Sequence, residues 1–457
     1  MNKTVTKPSG YDLTVGNPCK LIAKFALPML ISQIFQQLYN TADSLIVGKF
    51  IGTDGLAAVS ASGTLIFLMI SFFEGLFMGA GVLISRFFGE KNEEGVSRAV
   101  HTDFAIGLAS GAVLTVVGVL FTPTLLRLIN TDPEVLGGAT EYFRCIFGGA
   151  LGLVMYNVCR GIMTAVGDSR RPLVYLIVSS VLNVLLDLLF IGVFRWGVWS
   201  AAVATVISQV TSVVLCLVHL FKKGGMVSIE LKKIRFHRDM VRQIVRYGLP
   251  AGVQNSVIGF ANTIVISKIN AFGKVATAAY GVHARIEGFA FLPINSFNMA
   301  ITTFIGQNLG AKKYDRAKKG ARFGILAAVL MAELVGVIYY LNARALTGFF
   351  DGSEAVMALG EQQAHITTLF YCLLAFSHSV AAVCRGAGKA FVPMLVMLSV
   401  WCVFRIIYIT AVTNLFHDIR LIYWAYPITW GISSVIYLIY YKTSDWVHGF
   451  EKEKHTG

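Results

Sequence analysis

The chain has 457 residues, of which 55% are hydrophobic and 14% charged, where a soluble protein carries about 25% charge. Its mean hydropathy is +0.66, and apolar runs of roughly 20 residues, the length a membrane helix needs, recur along it. A soluble fold is excluded. The net charge of +14 is read as the Lys/Arg bias of cytoplasmic loops, not as a nucleic-acid surface.

The expected fold is all-α, a polytopic membrane protein with twelve spans. They lie at about 21–47, 56–84, 99–121, 139–165, 172–194, 198–221, 243–267, 276–305, 321–342, 362–387, 392–414 and 421–441. The polar segment before the first span contains Lys3, Lys7, Lys20 and Lys24 and no apolar core with a cleavage site, so no removed signal peptide is expected. Span 1 carries Gln33, Gln36, Gln37, Asn40, Asp43 and Ser44 at helical spacing, which makes one polar stripe. Such a stripe cannot face lipid; it faces a water-filled cavity or another helix. Pro28 is expected to begin this span near the inner surface, as Pro250 begins span 7. Span 2 holds an isolated acid, Glu74, and span 4 an amide, Asn157, the weaker of the polar candidates.

Span 5 is apolar except for Ser179, Ser180, Asn183 and Asp187, and the last two, four residues apart, share a helix face. An isolated carboxylate there costs roughly 2.5–3.5 kcal/mol on insertion scales, which makes it a functional-site hypothesis with a partner to be found. The expected partner is Asp43. Thr205 and the Ala201 backbone on span 6 offer further oxygens. The basic stretch from Lys222 to Arg246 follows. Its pattern of Ile229, Leu231, Ile234, Phe236, Met240 and Ile244 predicts a helix lying on the inner leaflet.

In the second half, span 7 carries Gln254, Asn255 and Asn262, and span 8 carries His283, Glu287 and Asn295 at steps of four. With the stripe of span 1 these are expected to line a substrate pathway between two lobes; the alternative is interhelical hydrogen bonding. Glu287 suits a cationic substrate. Arg285 is a further candidate: the alternative to substrate contact is that it holds Glu287 neutral by pairing with it through a bend near Pro293. Glu333 in span 9 has no polar stripe around it and no role suggested by sequence. The seven cysteines are scattered and include no C-x-x-C; their odd number excludes a complete disulfide framework, and free thiols are expected.

Most Lys and Arg residues fall on loops that share a side with the N-terminus, which predicts both termini in the cytoplasm of a plasma-membrane protein. The halves also repeat. Phe25-Ala-Leu-Pro28 answers Tyr247-Gly-Leu-Pro250 at a shift of 222; the turns at Gly89 and Gly310, and at Gly167 and Gly388, answer one another at 221. Each half has an even number of spans, so the repeats are parallel, related by a pseudo-twofold axis along the membrane normal. The expected domains are an N-lobe of 1–222, a basic linker of 223–242 and a C-lobe of 243–457.

Several stretches resemble the multidrug and toxic compound extrusion (MATE) family of the flippase-like superfamily. These are Gly16-Asn17-Pro18, the run from Pro28 through Asp43 to Gly48, the Gly167-Asp168-x-x-x-Pro172 turn and the two Gly-x-Lys loops, over roughly 17 to 441. The resemblance implies two lobes that form an outward-facing V and rock to export amphipathic, often cationic, organic compounds against inward Na⁺ or H⁺. It also implies a cation site in the first lobe built from an Asp, an Asn-x-x-x-Asp and a Thr eighteen residues further on, which here are Asp43, Asn183, Asp187 and Thr205. Asp43 and Asp187 would be the Na⁺-binding carboxylates. Relatives that couple through an acid on span 7 or 10 find no counterpart here, which points to the first lobe.

The expected protein is therefore a secondary antiporter and not an enzyme. It needs no cofactor beyond the coupling ion, and its partners are small organic cations and membrane lipid, with no nucleic acid; the working form is a monomer. The alternative within the same superfamily is a flippase for a lipid-linked precursor, which would want a cationic cleft. A remote alternative is an intramembrane aspartyl protease, whose Gly-x-Gly-Asp signature fails at Ala165. No nucleotide-binding motif supports an ATP-driven pump.

Overall fold

A computed structural model of the chain describes residues 12–128, 133–222, 227–416 and 418–450. Lys3, Lys7, Lys452, Lys454 and residues 223–226 of the basic linker lie outside it. Among the described residues the regular structure is helical throughout, in the order α1 (Pro18–Phe50), α2 (Thr53–Gly89), α3 (Glu93–Leu128), α4 (Pro133–Gly148), α5 (Ala150–Ala165), α6 (Arg170–Asp187) and α7 (Trp199–Leu220). The second half continues with α8 (Arg238–Asn270), α9 (Lys274–Gly310), α10 (Tyr314–Leu341), α11 (Ala343–Phe350), α12 (Glu354–Thr367), α13 (Tyr371–Gly386), α14 (Phe391–Met397), α15 (Arg405–Phe416) and α16 (Ile419–Thr443).

Among the described residues, eleven helical segments are long and apolar enough to cross a membrane. The pair 135–148 and 150–165, bent by 46°, makes a twelfth. The bend falls at Gly148–Gly149, inside the stretch expected as span 4, where two adjacent glycines weaken the helix. Spans 10 and 11 are likewise composite: a 3₁₀ turn, Thr368–Phe370, joins α12 to α13, and a π-helical segment, Leu398–Phe404, joins α14 to α15. A second π-helical segment, Leu188–Val193, continues α6.

The repeat is written into the backbone. Left-handed φ values occur at Gly52 and Gly273 (both 95°), at Lys91 and Lys312 (55° and 57°), and at Gly167 and Gly388 (86° and 76°). The members of each pair stand 221 residues apart. L-residues other than Gly and Asn avoid this region, so two lysines held in it at equivalent turns mark one ancestral turn used twice.

The chain forms two compact units: Leu27–Gly252, and Leu13–Ala26 together with 253–450. In the first unit α3 packs on α4 and α5, α2 crosses all three, and α7 packs on α4, α5 and α6. The front part of α8 lies against α2, backbone on backbone. A Cβ at Gly75 would fall 2.2 Å from the Gly252 nitrogen, and one at Gly79 would fall 2.4 Å from the Gly248 nitrogen. Gly75-x-x-x-Gly79 thus faces Gly248-x-x-x-Gly252, the small-residue spacing that lets membrane helices approach closely. In the second unit α9 packs on α10, α12 and α13, and α13 on α16. The strap before α1 is tied to this unit: Gln307 accepts from the Leu13 N–H (3.1 Å), and Lys313 donates to the Thr14 carbonyl (2.9 Å).

Two expectations need correction. The linker from 227 to 237 is not a surface helix; it has only the 3₁₀ turn Leu231–Lys233 before α8 begins. Its backbone is held open instead by α3 and α7: Glu230 N–H donates to His101 Nε2 (2.9 Å), and Ile229 N–H to the Leu220 carbonyl (2.8 Å). Pro28 and Pro250 lie inside α1 and α8, which begin at Pro18 and Arg238. Pro293 lies within α9, mid-helix as expected.

Candidate functional site

The first unit gathers the acids. Asp43 on α1 is 8% exposed, Asn183 on α6 1%, and Asp187, the last α-helical residue before the π segment, 0%. The carboxyl groups of Asp43 and Asp187 are close enough to interact electrostatically. No protein donor serves Asp43 Oδ1, either oxygen of Asp187, or Asn183 Oδ1. The Asn183 amide donates to Thr205 Oγ1 at 3.4 Å, which turns the amide oxygen away from that bond. Ala201 is fully buried in the first turns of α7. Tyr39 and Tyr142 stand within electrostatic reach of both acids.

Two buried carboxylates that interact with three of their oxygens unserved by a donor repel, and a proton or a cation between them relieves that repulsion. The oxygens present, from carboxylate, amide and hydroxyl, are the donor set of a small hard cation. The π-helical turn directly after Asp187 breaks the regular i→i−4 ladder, a feature that gathers at functional sites.

The other sequence candidates separate. Gln33 and Gln36 are half-buried on α1, and Gln37 and Asn40 exposed. Asn157 is tied to its own helix: it donates to the Leu153 carbonyl and accepts from Arg160 (3.1 Å each). Glu74 is exposed on α2. In the second unit Gln254 is buried, Asn255 half-buried, and Asn262 and Asn295 exposed. His283 does not line an open pathway. It is 2% exposed, bonds Tyr339 Oη (3.0 Å) and Thr367 Oγ1 (3.3 Å), and sits beside a core of Val282, Ile286, Ala343 and Ala364. Glu287 does not pair with Arg285, which is exposed; residues two apart on a helix diverge. The cation within reach of Glu287 is Arg405.

Arg405 and Asp103 escaped the sequence reading. Arg405 is 3% exposed and Asp103 1%, and each lies inside a predicted span. Charge in an apolar run was the signal that singled out Asp187, and it applied to both. Glu333 acquires a role: its carboxylate accepts the Cys372 N–H (2.8 Å) at the start of α13, where the preceding 3₁₀ turn leaves that donor unpaired.

These features define a class: a polytopic helical transporter of two repeated bundles with an ionisable site buried in one of them. The MatE family model matches the chain twice, over residues 28–189 and 250–410. The chain belongs to the MatE family and is a secondary transporter, not an enzyme. It is 29% identical over 385 residues to the probable multidrug resistance protein YoeA of Bacillus subtilis, covering 82% of this chain and 83% of that one. It is 23% identical over 387 residues to the multidrug export protein MepA of Staphylococcus aureus, covering 82% and 84%. Among solved structures, an outward-facing MATE transporter of the MOP superfamily aligns with a TM-score of 0.90 at 24% identity, over 98% of this chain and 100% of the other. A MOP superfamily transporter from Pyrococcus furiosus, described as having a binding pocket of reverse polarity, aligns at 0.89 and 25%, over 95% and 98%.

Proposed function

We propose that the protein is an efflux antiporter of the cell membrane, working as a monomer with both termini in the cytoplasm. It exports amphipathic organic cations in exchange for Na⁺ or H⁺ bound between Asp43 and Asp187. The relatives named as multidrug resistance and export proteins support the substrate class. The observation that carries the coupling site is the buried carboxyl pair, of which Asp43 Oδ1 and both Asp187 oxygens have no protein donor.

The charge arithmetic allows either ion. Two carboxylates with one Na⁺ carry −1, and with one proton they also carry −1. Asn183 and Thr205 would complete the oxygen shell of a metal ion, while a proton would be shared by the two carboxyls directly. Binding removes the repulsion between α1 and α6, so the ion-loaded and empty states of this bundle differ in their preferred helix packing. One charge moved through 100 mV is worth about 2.3 kcal/mol, enough to sustain a roughly fiftyfold substrate gradient per ion.

The test is export of a cationic dye from proteoliposomes, under a sodium gradient and separately under a pH gradient. At least one gradient should drive uptake-opposed dye movement, and Asp187→Asn should remove that response. Equal dye flux with and without both gradients would overturn the antiport reading.

A further inference from the structure

A cleft of about 390 Å³ opens in the second unit at the end of α10 opposite the Lys312 turn. It lies between Tyr340 and Leu341 on α10, Arg344 and Gly348 on α11, and Glu361 and His365 on α12. That is the size of a small-molecule site. One membrane-crossing segment ends at Leu341 and another begins at Glu354, so the cleft sits where two spans leave the hydrocarbon. Leu341 at its edge and Phe349 on α11 are exposed. Arg344 stands between two carboxylates: Nη1 donates to Glu361 (3.2 Å) and Nη2 to Glu354. The repeat does not carry this group. At the shift of 221, Arg344, Glu354, Glu361 and His365 answer Pro123, Pro133, Thr140 and Arg144.

The cleft offers both signs of charge side by side. The remaining N–H groups of the guanidinium suit an anionic oxygen. The second carboxylate, in excess over the one arginine, suits a cation. One ligand meets both needs if it has a phosphate and an amine a few bonds apart. The head of a zwitterionic phospholipid is such a ligand, and the surrounding bilayer presents it at the height of the cleft. The cleft has room for that head and not for two acyl chains. Leu341 and Phe349 give the chains an apolar surface to cover, which is favourable. The walls also choose between ammonium types. A quaternary ammonium is held by open aromatic faces, but the Tyr340 ring is packed on His365, centroids 4.4 Å apart. Carboxylates reward a head that donates N–H bonds, which a primary ammonium does and a trimethylated one cannot.

We propose that this cleft binds the head of a phospholipid with a primary ammonium, of the phosphatidylethanolamine class. The phosphate takes the open N–H edge of Arg344, the ammonium takes Glu361, and the chains run over Leu341 and Phe349. A purely anionic head would gain the guanidinium but meet two carboxylates. The acids of the first unit play no part, so this inference stands or falls apart from the antiport reading.

The experiment is native mass spectrometry of the purified, delipidated full-length protein in detergent. It is titrated separately with phosphatidylethanolamine, phosphatidylcholine and phosphatidylglycerol of identical palmitoyl and oleoyl chains, and the dissociation constant of the first bound lipid is read. Wild type should take phosphatidylethanolamine about tenfold more tightly than either of the others. Glu361→Gln, which keeps the shape of the side chain, should bring phosphatidylethanolamine to within about twofold of phosphatidylcholine. Gly348→Leu changes no charge but fills the cleft beside Met357, where a Cβ already stands 2.8 Å from Sδ, and should weaken phosphatidylethanolamine as much. Equal wild-type affinity for the three lipids overturns the proposal. So does tightest binding of phosphatidylglycerol, which marks a plain cationic patch, and so does a preference that survives in Glu361→Gln. If Gly348→Leu does not fold, Glu361→Gln carries the test.

Discussion

The two halves are built from one repeat and have been given opposite charge. In the first, the helix pair α6 and α7 brings Asp187 and Thr205 to the buried site, and α1 adds Asp43. In the second, the equivalent pair, α14–α15 and α16, brings Arg405 and Thr429, and Glu287 on α9 stands off. Each half also has a π-helical segment in the same member of the pair, adjoining the charged residue: it begins after Asp187 and ends before Arg405. At the 221-residue shift of the repeat, however, 188–193 answers 409–414 and not 398–404, so the two irregularities sit at different positions of equivalent helices. Asp187 answers Tyr408, and Arg405 answers Val184, so the repeat preserves the helix pair and not the position of the charge.

The largest break in this comparison comes from removing the acids. Asp187→Asn or Asp43→Asn takes away one of the two facing carboxylates and with it the −1 charge that the loaded site retains. Gradient-driven dye export in proteoliposomes should fall at least tenfold for each, with the phosphatidylethanolamine preference of the second unit unchanged. Wild-type export rates in both variants would remove the first unit from the coupling role.

A packing lesion should behave differently from either charge lesion. Gly79→Leu drives a side chain into the α8 backbone at Gly248, where even a Cβ has 2.4 Å. Overpacking of this kind costs about 1–3 kcal/mol. Gly81, two residues on, has open space around its Cα, and Gly81→Ala should be neutral. Thermal unfolding in detergent checks the pair: Gly79→Leu lowers the midpoint and reduces folded yield, so dye export drops per milligram of membrane. A Gly79→Leu protein as stable as wild type would mean that α2 and α8 are not so closely apposed.

The contrast between the halves was only half legible in sequence. Asn183 and Asp187 stood out because they interrupt an apolar run four residues apart, and the resemblance to the family supplied Asp43 and Thr205. Arg405 interrupts an apolar run as plainly, yet its partners, Tyr426, Thr429 and Tyr280, are ordinary residues of membrane helices and raise no signal until the fold assembles them. Helix spacing placed His283 and Glu287 on one stripe of α9, but spacing gives a face and not what covers it. Tyr339 and Thr367 enclose His283, and Glu287 is left half-open. The linker pattern misled because Ile229 is buried while Leu231 and Phe236 are 71% and 59% exposed, so no single helical face unites them. What fixes that segment is a backbone bond to His101, which no hydrophobic pattern encodes.

The smallest predicted effects separate the halves most cleanly, because they leave both charges in place. Thr205 and Thr429 are hydroxyls beside charges of opposite sign, so valine of similar shape removes one polar contact from each unit. Thr205→Val deprives the acid site of one oxygen and frees the Asn183 amide, which should weaken apparent Na⁺ affinity, or the ion's effect on dye export, by about three- to tenfold at a net cost of ~1 kcal/mol. Thr429→Val leaves Arg405 Nη2 without its acceptor but touches no acid, so the ion's effect on dye export should stay at its wild-type value. The outcomes differ because one threonine supplies an oxygen to the coupling site and the other steadies a charge that the coupling site does not use. Ion titration of export on both variants, at equal amounts of folded protein, gives two readings: that of Thr205→Val falls and that of Thr429→Val does not. A weakened ion response in Thr429→Val would show that Arg405 takes part in coupling.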